Sequence, residues 1–150
     1  MGCLIRLALQ NDAGDISAII SRALREANAE DYTKEIIERI ERNFGPSAII
    51  QLIDKRTVFV ATINDRVVGT ASLDGAAVQT IVVNPNVQGE GIGKRLMAQI
   101  ERTARERGIS VLTLASSITA VSFYTQVGFR AVRDSYYGDE RTITMERSLD

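Results

Sequence analysis

Gly89, Gly91 and Gly93 recur at alternate positions between an apolar, β-rich run that ends at Val83 and a helical pattern that opens at Ile92. The first N–H groups of a helix have no intrahelical partners and sit at the positive end of its dipole, so such a start favours an anion. Glycines there remove side chains where main chain would approach phosphate oxygens closely. Lys94 and Arg95 add positive charge beside them. The same glycines can also make nothing more than a tight strand-to-helix connection, and the cluster alone leaves both readings open. Two phosphate motifs are excluded by spacing. A P-loop needs glycine five residues before the Gly-Lys pair and Ser or Thr after it, where this chain has Gln88 and Arg95. A dinucleotide fingerprint needs glycine where Lys94 stands.

Histidine is absent from all 150 residues. That removes Ser-His-Asp and Cys-His catalysis and every histidine-based metal site, leaving carboxylates, tyrosine, backbone and water to move protons. No metal is expected. The formal charge of −1 gives no global basic field, so neither nucleic acid nor an anionic membrane is an expected partner. The single cysteine, Cys3, has no internal disulfide partner. No charged-then-apolar leader opens the chain, Arg6 stands where a myristoylation motif wants Ser or Thr, and the apolar runs are far shorter than the roughly 20 residues that span a bilayer. A cytoplasmic location is the resulting expectation.

The elements that must position these residues follow from periodicity. Cys3 to Leu9 reads as a first strand with Ile5, Leu7 and Leu9 on one face, and Asn11-Asp12 offers an N-cap to a helix running to about Asn28. Ile36, Ile37, Ile40 and Phe44 mark a second helix stopped by Gly45-Pro46, and Pro46 opens a third through Ile53. The period then changes. Arg56–Ile63, Arg66–Leu73 and Ala76–Val83, separated by Asn64-Asp65 and Asp74-Gly75, read as an antiparallel meander. After the glycine turn a helix carries Ile92, Leu96, Ile100 and Ala104, closes at Gly108 and leads to an apolar strand, Ile109–Ala115, in a βαβ unit that favours parallel pairing. Ser116 or Ser117 can cap a last helix with Ala120, Val121, Tyr124 and Val127, ended by Gly128, before a hairpin of Phe129–Arg133 and Arg141–Arg147. The expected fold is mixed α+β: a mostly antiparallel central sheet with one βαβ unit, flanked by helices, in a single domain over residues 1–150.

The run Ile81-Val82-Val83-Asn84-Pro85-Asn86-Val87-Gln88-Gly89-Glu90-Gly91-Ile92-Gly93-Lys94-Arg95-Leu96 resembles the acetyl-CoA motif of the GNAT superfamily of N-acetyltransferases, whose core Q/R-x-x-G-x-G/A is met in full from Gln88 to Gly93. Ala120-Val121-Ser122-Phe123-Tyr124-Thr125-Gln126-Val127-Gly128-Phe129 is similar to that family's A-x-x-[FL]-Y-x-x-x-G-F segment. The element order of most of the chain is also the family's. The resemblance implies a GNAT-type acyl-CoA N-acyltransferase fold with acetyl-CoA as cosubstrate and an amine that attacks the thioester directly. It further implies that Ile81, Val82 and Val83 hold pantetheine by main-chain bonds. Gln88, Gly89, Glu90, Gly91, Ile92, Gly93 and Lys94 would cradle the pyrophosphate.

By the same resemblance Tyr124 is the candidate acid for the departing thiolate, since a phenol of pKa ~10 is protonated at neutral pH and can donate. Spacing alone equally allows Tyr124 to face the core beside Ala120 and Val127. Ser117 stands where many members carry a cofactor-contacting asparagine, and an N-cap role competes. No acid occurs from Gly75 to Gly89 or from Arg107 to Arg133, and Gln79 occupies a position where some members place glutamate. The general base is therefore unassigned among Glu30, Asp31, Asp74, Asp139, Glu140 and water. Asp31 and Tyr32, in the segment Asn28–Lys34, are candidates for the acceptor pocket, with capping by Asp31 or Thr33 as the competing role, and Tyr136 to Glu140 form a second candidate wall. The expected acceptor is a primary amine of a small molecule or peptide. A catalytically silent acyl-CoA-binding regulatory module is the alternative, and a homodimer stays open.

Overall fold

The computed structural model describes residues 2–26, 33–87, 89–137 and 140–149. Its elements run β1 (Cys3–Leu7), α1 (Ala13–Glu26), α2 (Lys34–Asn43), α3 (Pro46–Lys55), β2 (Thr57–Ile63), β3 (Arg66–Asp74), β4 (Ala77–Val83), α4 (Ile92–Glu106), β5 (Val111–Ser116), α5 (Val121–Gln126), β6 (Arg130–Tyr137) and β7 (Glu140–Ser148), with 3-10 turns at Gln10–Asp12 and Pro85–Val87. The strands form one sheet of order β1-β2-β3-β4-β5-β7-β6. Pairing is antiparallel throughout except between β4 and β5, which the α4 crossover makes parallel. This is the mixed α+β arrangement that the periodicities predict. Among the described residues no helix is long and apolar enough to cross a membrane.

The centre of the sheet is apolar on both faces because each face has its own core. Along β2, Val58 and Val60 join a cluster with Ile16, Ile20 and Leu24 of α1, Ile37 of α2 and Ile49 of α3. Phe59 and Ala61 point the other way, into a cluster with Leu96, Met97 and Ile100 of α4, Leu112 of β5, Phe129 and Met145. A strand covered on both sides reads as a continuous hydrophobic run rather than an alternating one. Asn64 and Asp65 connect β2 to β3 with φ of 52° and 63°, the left-handed pair that a two-residue hairpin requires.

Several local expectations need correction. The first strand ends at Leu7, and Leu7 and Leu9 are 59% and 57% exposed, because β1 is an edge strand and the chain turns away into the 3-10 segment. Asn11-Asp12 does not cap α1 from outside. Asp12 is buried inside the preceding turn, where its carboxylate accepts from the Leu9 N–H at 2.7 Å and from Arg6 at 2.8 and 3.1 Å. The end of α1 beyond Glu26 lies outside the described residues. β5 starts two residues later than Ile109, and the closing hairpin runs further, to Tyr137 and from Glu140.

Strand β4 is irregular along both of its edges. Thr70 pairs with Val82 and Ser72 with Gln79, so Thr80 and Ile81 together oppose Ala71, a bulge that takes one residue out of the ladder. On its other side β4 meets β5 only where Ala77 opposes Thr113, whose N–H donates to the Ala76 carbonyl at 3.0 Å. Beyond that pair the two strands part.

Candidate active site

Where β4 leaves β5, a cleft of about 760 Å³ opens. Ile81, Val82 and Val83 form one wall, and the alternation of β4 sends their side chains to both faces: Ile81 and Val83 to the α4 core, Val82 to the α1 core. The cleft accordingly takes lining from both sides of the sheet, with Ala23 of α1 on one and Phe123 and Tyr124 of α5 on the other. A split between parallel strands exposes main-chain groups that would otherwise pair, which suits an extended chain laid along β4.

The glycine turn lies at one end of this cleft. Gly89 and Gly91 have φ of 88° and 78°, a left-handed region that side chains rarely adopt, and Gly91 is the N-cap of α4. The first N–H groups of α4 therefore face the turn rather than a preceding helical carbonyl. Gly89, Gly91, Ile92, Gly93 and Lys94 all line the cleft. Gly93 has a different reason to be glycine. An added Cβ would lie 3.0 Å from Cζ and 3.2 Å from Cε1 of Phe123, so its missing side chain admits an aromatic ring. Glu90 is exposed and does not line the cleft, and Gln88 lies outside the described residues.

The approach to the turn is tied to α1. Asn84 Oδ1 accepts the Asn86 N–H at 3.0 Å, and Arg22 donates to Asn86 Oδ1 at 3.2 Å. Arg22 immediately precedes Ala23, so the bond links the strand-to-turn segment with the helix across the cleft.

Tyr124 lines the cleft from α5 and is half-buried. Its ring meets Phe123 edge-on at 5.2 Å and Phe129 edge-on at 6.0 Å between centroids, and its carbonyl accepts the Phe129 N–H at 3.0 Å. Tyr124 thus both packs against the core on the α4 face and lines the cleft. Ser117 does not line the cleft. Its hydroxyl accepts the Ala120 N–H at 3.3 Å, which shapes the turn before α5 rather than capping the helix itself.

Of the base candidates, Asp74, the last residue of β3, pairs with Ala77 at the start of β4, roughly 20 Å along that strand from Val83, and its partner is Arg56 at 3.6 Å. Glu30, Asp31, Tyr32 and Asp139 lie outside the described residues. Tyr136 is 64% exposed and does not line the cleft. Among the described residues the cleft contains no carboxylate, its one charged group being Lys94, and no cluster of acidic, cysteine or histidine side chains could hold a metal. The shifted acids lie elsewhere. Arg6 holds Asp12 below the usual carboxylate range by paired hydrogen bonds, and Arg25, with help from the Ser21 hydroxyl, does the same for Glu41.

The sequence left Ala23, Thr119, Ala120 and Phe123 unassigned, though all four line the cleft. Phe123 carried a signal, being adjacent to Tyr124 in the same motif. Ala23 carried none, because its period marks it only as one more core position of α1.

Comparison with known proteins gives the geometry a context. The family described as acetyltransferase (GNAT) domain matches residues 28–149. An IAA acetyltransferase of Azospirillum brasilense is 30% identical over 146 residues, spanning 83% of this chain and 95% of the relative. A GCN5-related N-acetyltransferase from Rhodopseudomonas palustris superposes with a TM-score of 0.92 at 25% identity, over 99% of this chain and 96% of that one. The PaiA N-acetyltransferase from Thermoplasma acidophilum, solved in complex with coenzyme A, superposes at 0.85 with 18% identity over 99% of both chains.

Proposed function

The chain belongs to the GNAT acetyltransferase family and is an acetyl-CoA-dependent N-acetyltransferase, and from that premise we propose that it acetylates a primary amine of a small molecule or peptide by direct attack on the thioester. The observation that carries this reading is the cleft lined from both faces of the sheet. A donor laid along β4 with its pyrophosphate at the start of α4 leaves the α1 side, at Ala23, for an acceptor. Both substrates then occupy one site at once, as direct transfer requires.

In this reading, residues 1–150 act as a single N-acetyltransferase domain. Main chain of Ile81, Val82 and Val83 binds pantetheine, and Gln88 to Lys94 bind the pyrophosphate, Gly89 and Gly91 through backbone freedom and Lys94 by charge. Ser117 supports the cofactor only through the turn it shapes. The amine nitrogen bonds to the thioester carbon, and negative charge on the carbonyl oxygen is met by main-chain N–H groups near the bulge at Thr80 and Ile81. The C–S bond then breaks, and the Tyr124 phenol gives its proton to the thiolate. The amine attacks as the free base, and once bonded its nitrogen gives up one proton to water, since among the described residues no carboxylate lines the cleft; solvent returns a proton to the Tyr124 phenolate.

Thiol release from acetyl-CoA across a panel containing a polyamine, an aminoglycoside, free amino acids and a peptide N-terminus tests the proposal. Acceptor-dependent release is expected with at least one of them. Micromolar CoA binding without acceptor-dependent release from any amine would instead favour the silent acyl-CoA-binding module.

A further inference from the structure

Tyr124 sits on a helix of six residues, Val121–Gln126, too short to hold its own conformation in water. Its orientation must come from tertiary anchors. Among them are the close approach of the Phe123 ring to Gly93 and the edge contact of Tyr124 with Phe129. Another is Arg147 of β7. Its guanidinium donates to the Val127 carbonyl at the end of α5 at 2.7 Å and pairs with Glu101 of α4. The two side chains are only 24% and 13% exposed, so the pair is largely withdrawn from water. A cation at a helix C-terminus satisfies an orphan carbonyl and meets the negative end of the dipole.

Gly128 shows that the fold makes room for this bridge. Its φ is 102°, and an added Cβ would lie 2.9 Å from Arg147 Nε and 3.1 Å from Cδ and Cζ. The left-handed backbone favours glycine here, and its missing side chain leaves the guanidinium room to lie against the turn. Glu101 and the glycine turn share one helix, α4, so the bridge joins the element that starts at the turn to the end of the element that bears the phenol.

We propose that Arg147 is a positioning residue for Tyr124: holding Glu101 and the Val127 carbonyl together, it sets the short helix that carries the phenol against the glycine turn. The proposal rests on the reading of Tyr124 as proton donor. Both contacts are made by Nη1, whose two N–H groups lie in fixed directions in the guanidinium plane, whereas an ammonium is a point charge without that planar geometry.

A kinetic cycle of Arg147→Met, Tyr124→Phe and the double variant tests it, using acetyl-CoA with the best acceptor from the amine panel, and CoA alone for binding by calorimetry. Misplacing a reacting group by a fraction of an ångström is expected to lower kcat about 10-fold in Arg147→Met, with CoA affinity changed by less than about twofold. In the Tyr124→Phe background the same substitution should change kcat by less than about twofold, because the group it positions is gone. Equal falls in both backgrounds, or weakened CoA binding with kcat intact, would overturn the proposal. Full turnover in Tyr124→Phe alone defeats the donor reading and the proposal with it. A slow Tyr124→Phe beside a fast Arg147→Met defeats the proposal only. Should Arg147→Met fail to fold, Glu101→Gln supplies the same cycle, with a smaller loss that must again vanish without the phenol.

Discussion

The ring of Phe123 occupies the space into which a side chain on Gly93 would project, with Cζ 3.0 Å from the place of an added Cβ. The two residues belong to different sequence motifs, so this contact is where the glycine turn and the helix of Tyr124 are packed together. Gly93 has no left-handed φ, so alanine is permitted by the backbone and gains up to about 1 kcal/mol of helix propensity. Against that, overpacking a tight contact costs about 1–3 kcal/mol. Gly93→Ala is therefore expected to lower stability by about 1 kcal/mol, a Tm drop of roughly 2–4 °C. Adding Phe123→Leu should restore Tm by removing the ring edge. A Gly93→Ala protein that melts above the parent would show that the ring yields freely and that the contact sets nothing.

At Gly91 the constraint is conformational. With φ of 78° and nothing within 4 Å of an added Cβ, alanine meets no clash in the free protein, but the left-handed backbone costs it about 1–2 kcal/mol. In the proposed pyrophosphate site its methyl would also stand where main chain approaches a phosphate. Gly91→Ala should weaken CoA binding about 10-fold or more, yet leave the weaker binding of pantetheine, which has no pyrophosphate, within about twofold. Calorimetry with both ligands separates the outcomes. Equal losses for the two would move the pyrophosphate away from this turn.

Arg6 and Asp12 make the clearest acid-sensitive contact. Paired hydrogen bonds from Arg6, aided by the Leu9 N–H and opposed by burial, hold the Asp12 pKa below its ordinary value. A carboxylate with a depressed folded pKa contributes stability that is fully present above its unfolded value, near ~4, and is lost as pH falls through the lower folded value. Asp12→Asn should thus cost about 1 kcal/mol at pH 7 and flatten the acid limb of the stability curve below pH ~4. Urea midpoints at pH 7 and pH 3 measure this. A variant whose deficit is the same at both pH values would exclude an ionic contribution from the pair.

Much of this molecule was legible because its local signals agree with its tertiary demands. The change of period after Arg56, the Asn64-Asp65 turn and the glycines before Ile92 each act over a few residues, and β2, β3 and α4 appear where their patterns place them. The misreadings arose where a remote partner decides. Leu7 and Leu9 alternate as an inward face would, yet β1 is an edge strand and solvent takes them. Asp12 has a capping residue's chemistry, but Arg6 holds it inside the turn. Gly93 and Gly128 looked like turn glycines, whereas Phe123 and Arg147, distant in sequence, fill the space beside them. The split between β4 and β5 leaves no residue signal at all, since pairing length between parallel strands is set by the helices and strands packed around them.

Ala23 offers a test of that split as a two-sided site. It is 6% exposed and lines the cleft from α1, on the face of the sheet opposite the helix of Tyr124. Ala23→Leu fills the α1 side with three more carbons while leaving the glycine turn untouched. Overpacking there costs about 1–3 kcal/mol, which a 150-residue fold of ordinary stability withstands. If donor and acceptor enter from opposite faces, KM for the amine should rise about 10-fold, with CoA affinity within about twofold and thiol release at saturating amine little changed. A selective rise in the CoA dissociation constant would mean that α1 walls the donor instead. The amine would then have to approach along the same face as α5, in contact with Thr119 and Phe123, and its specificity would be written there.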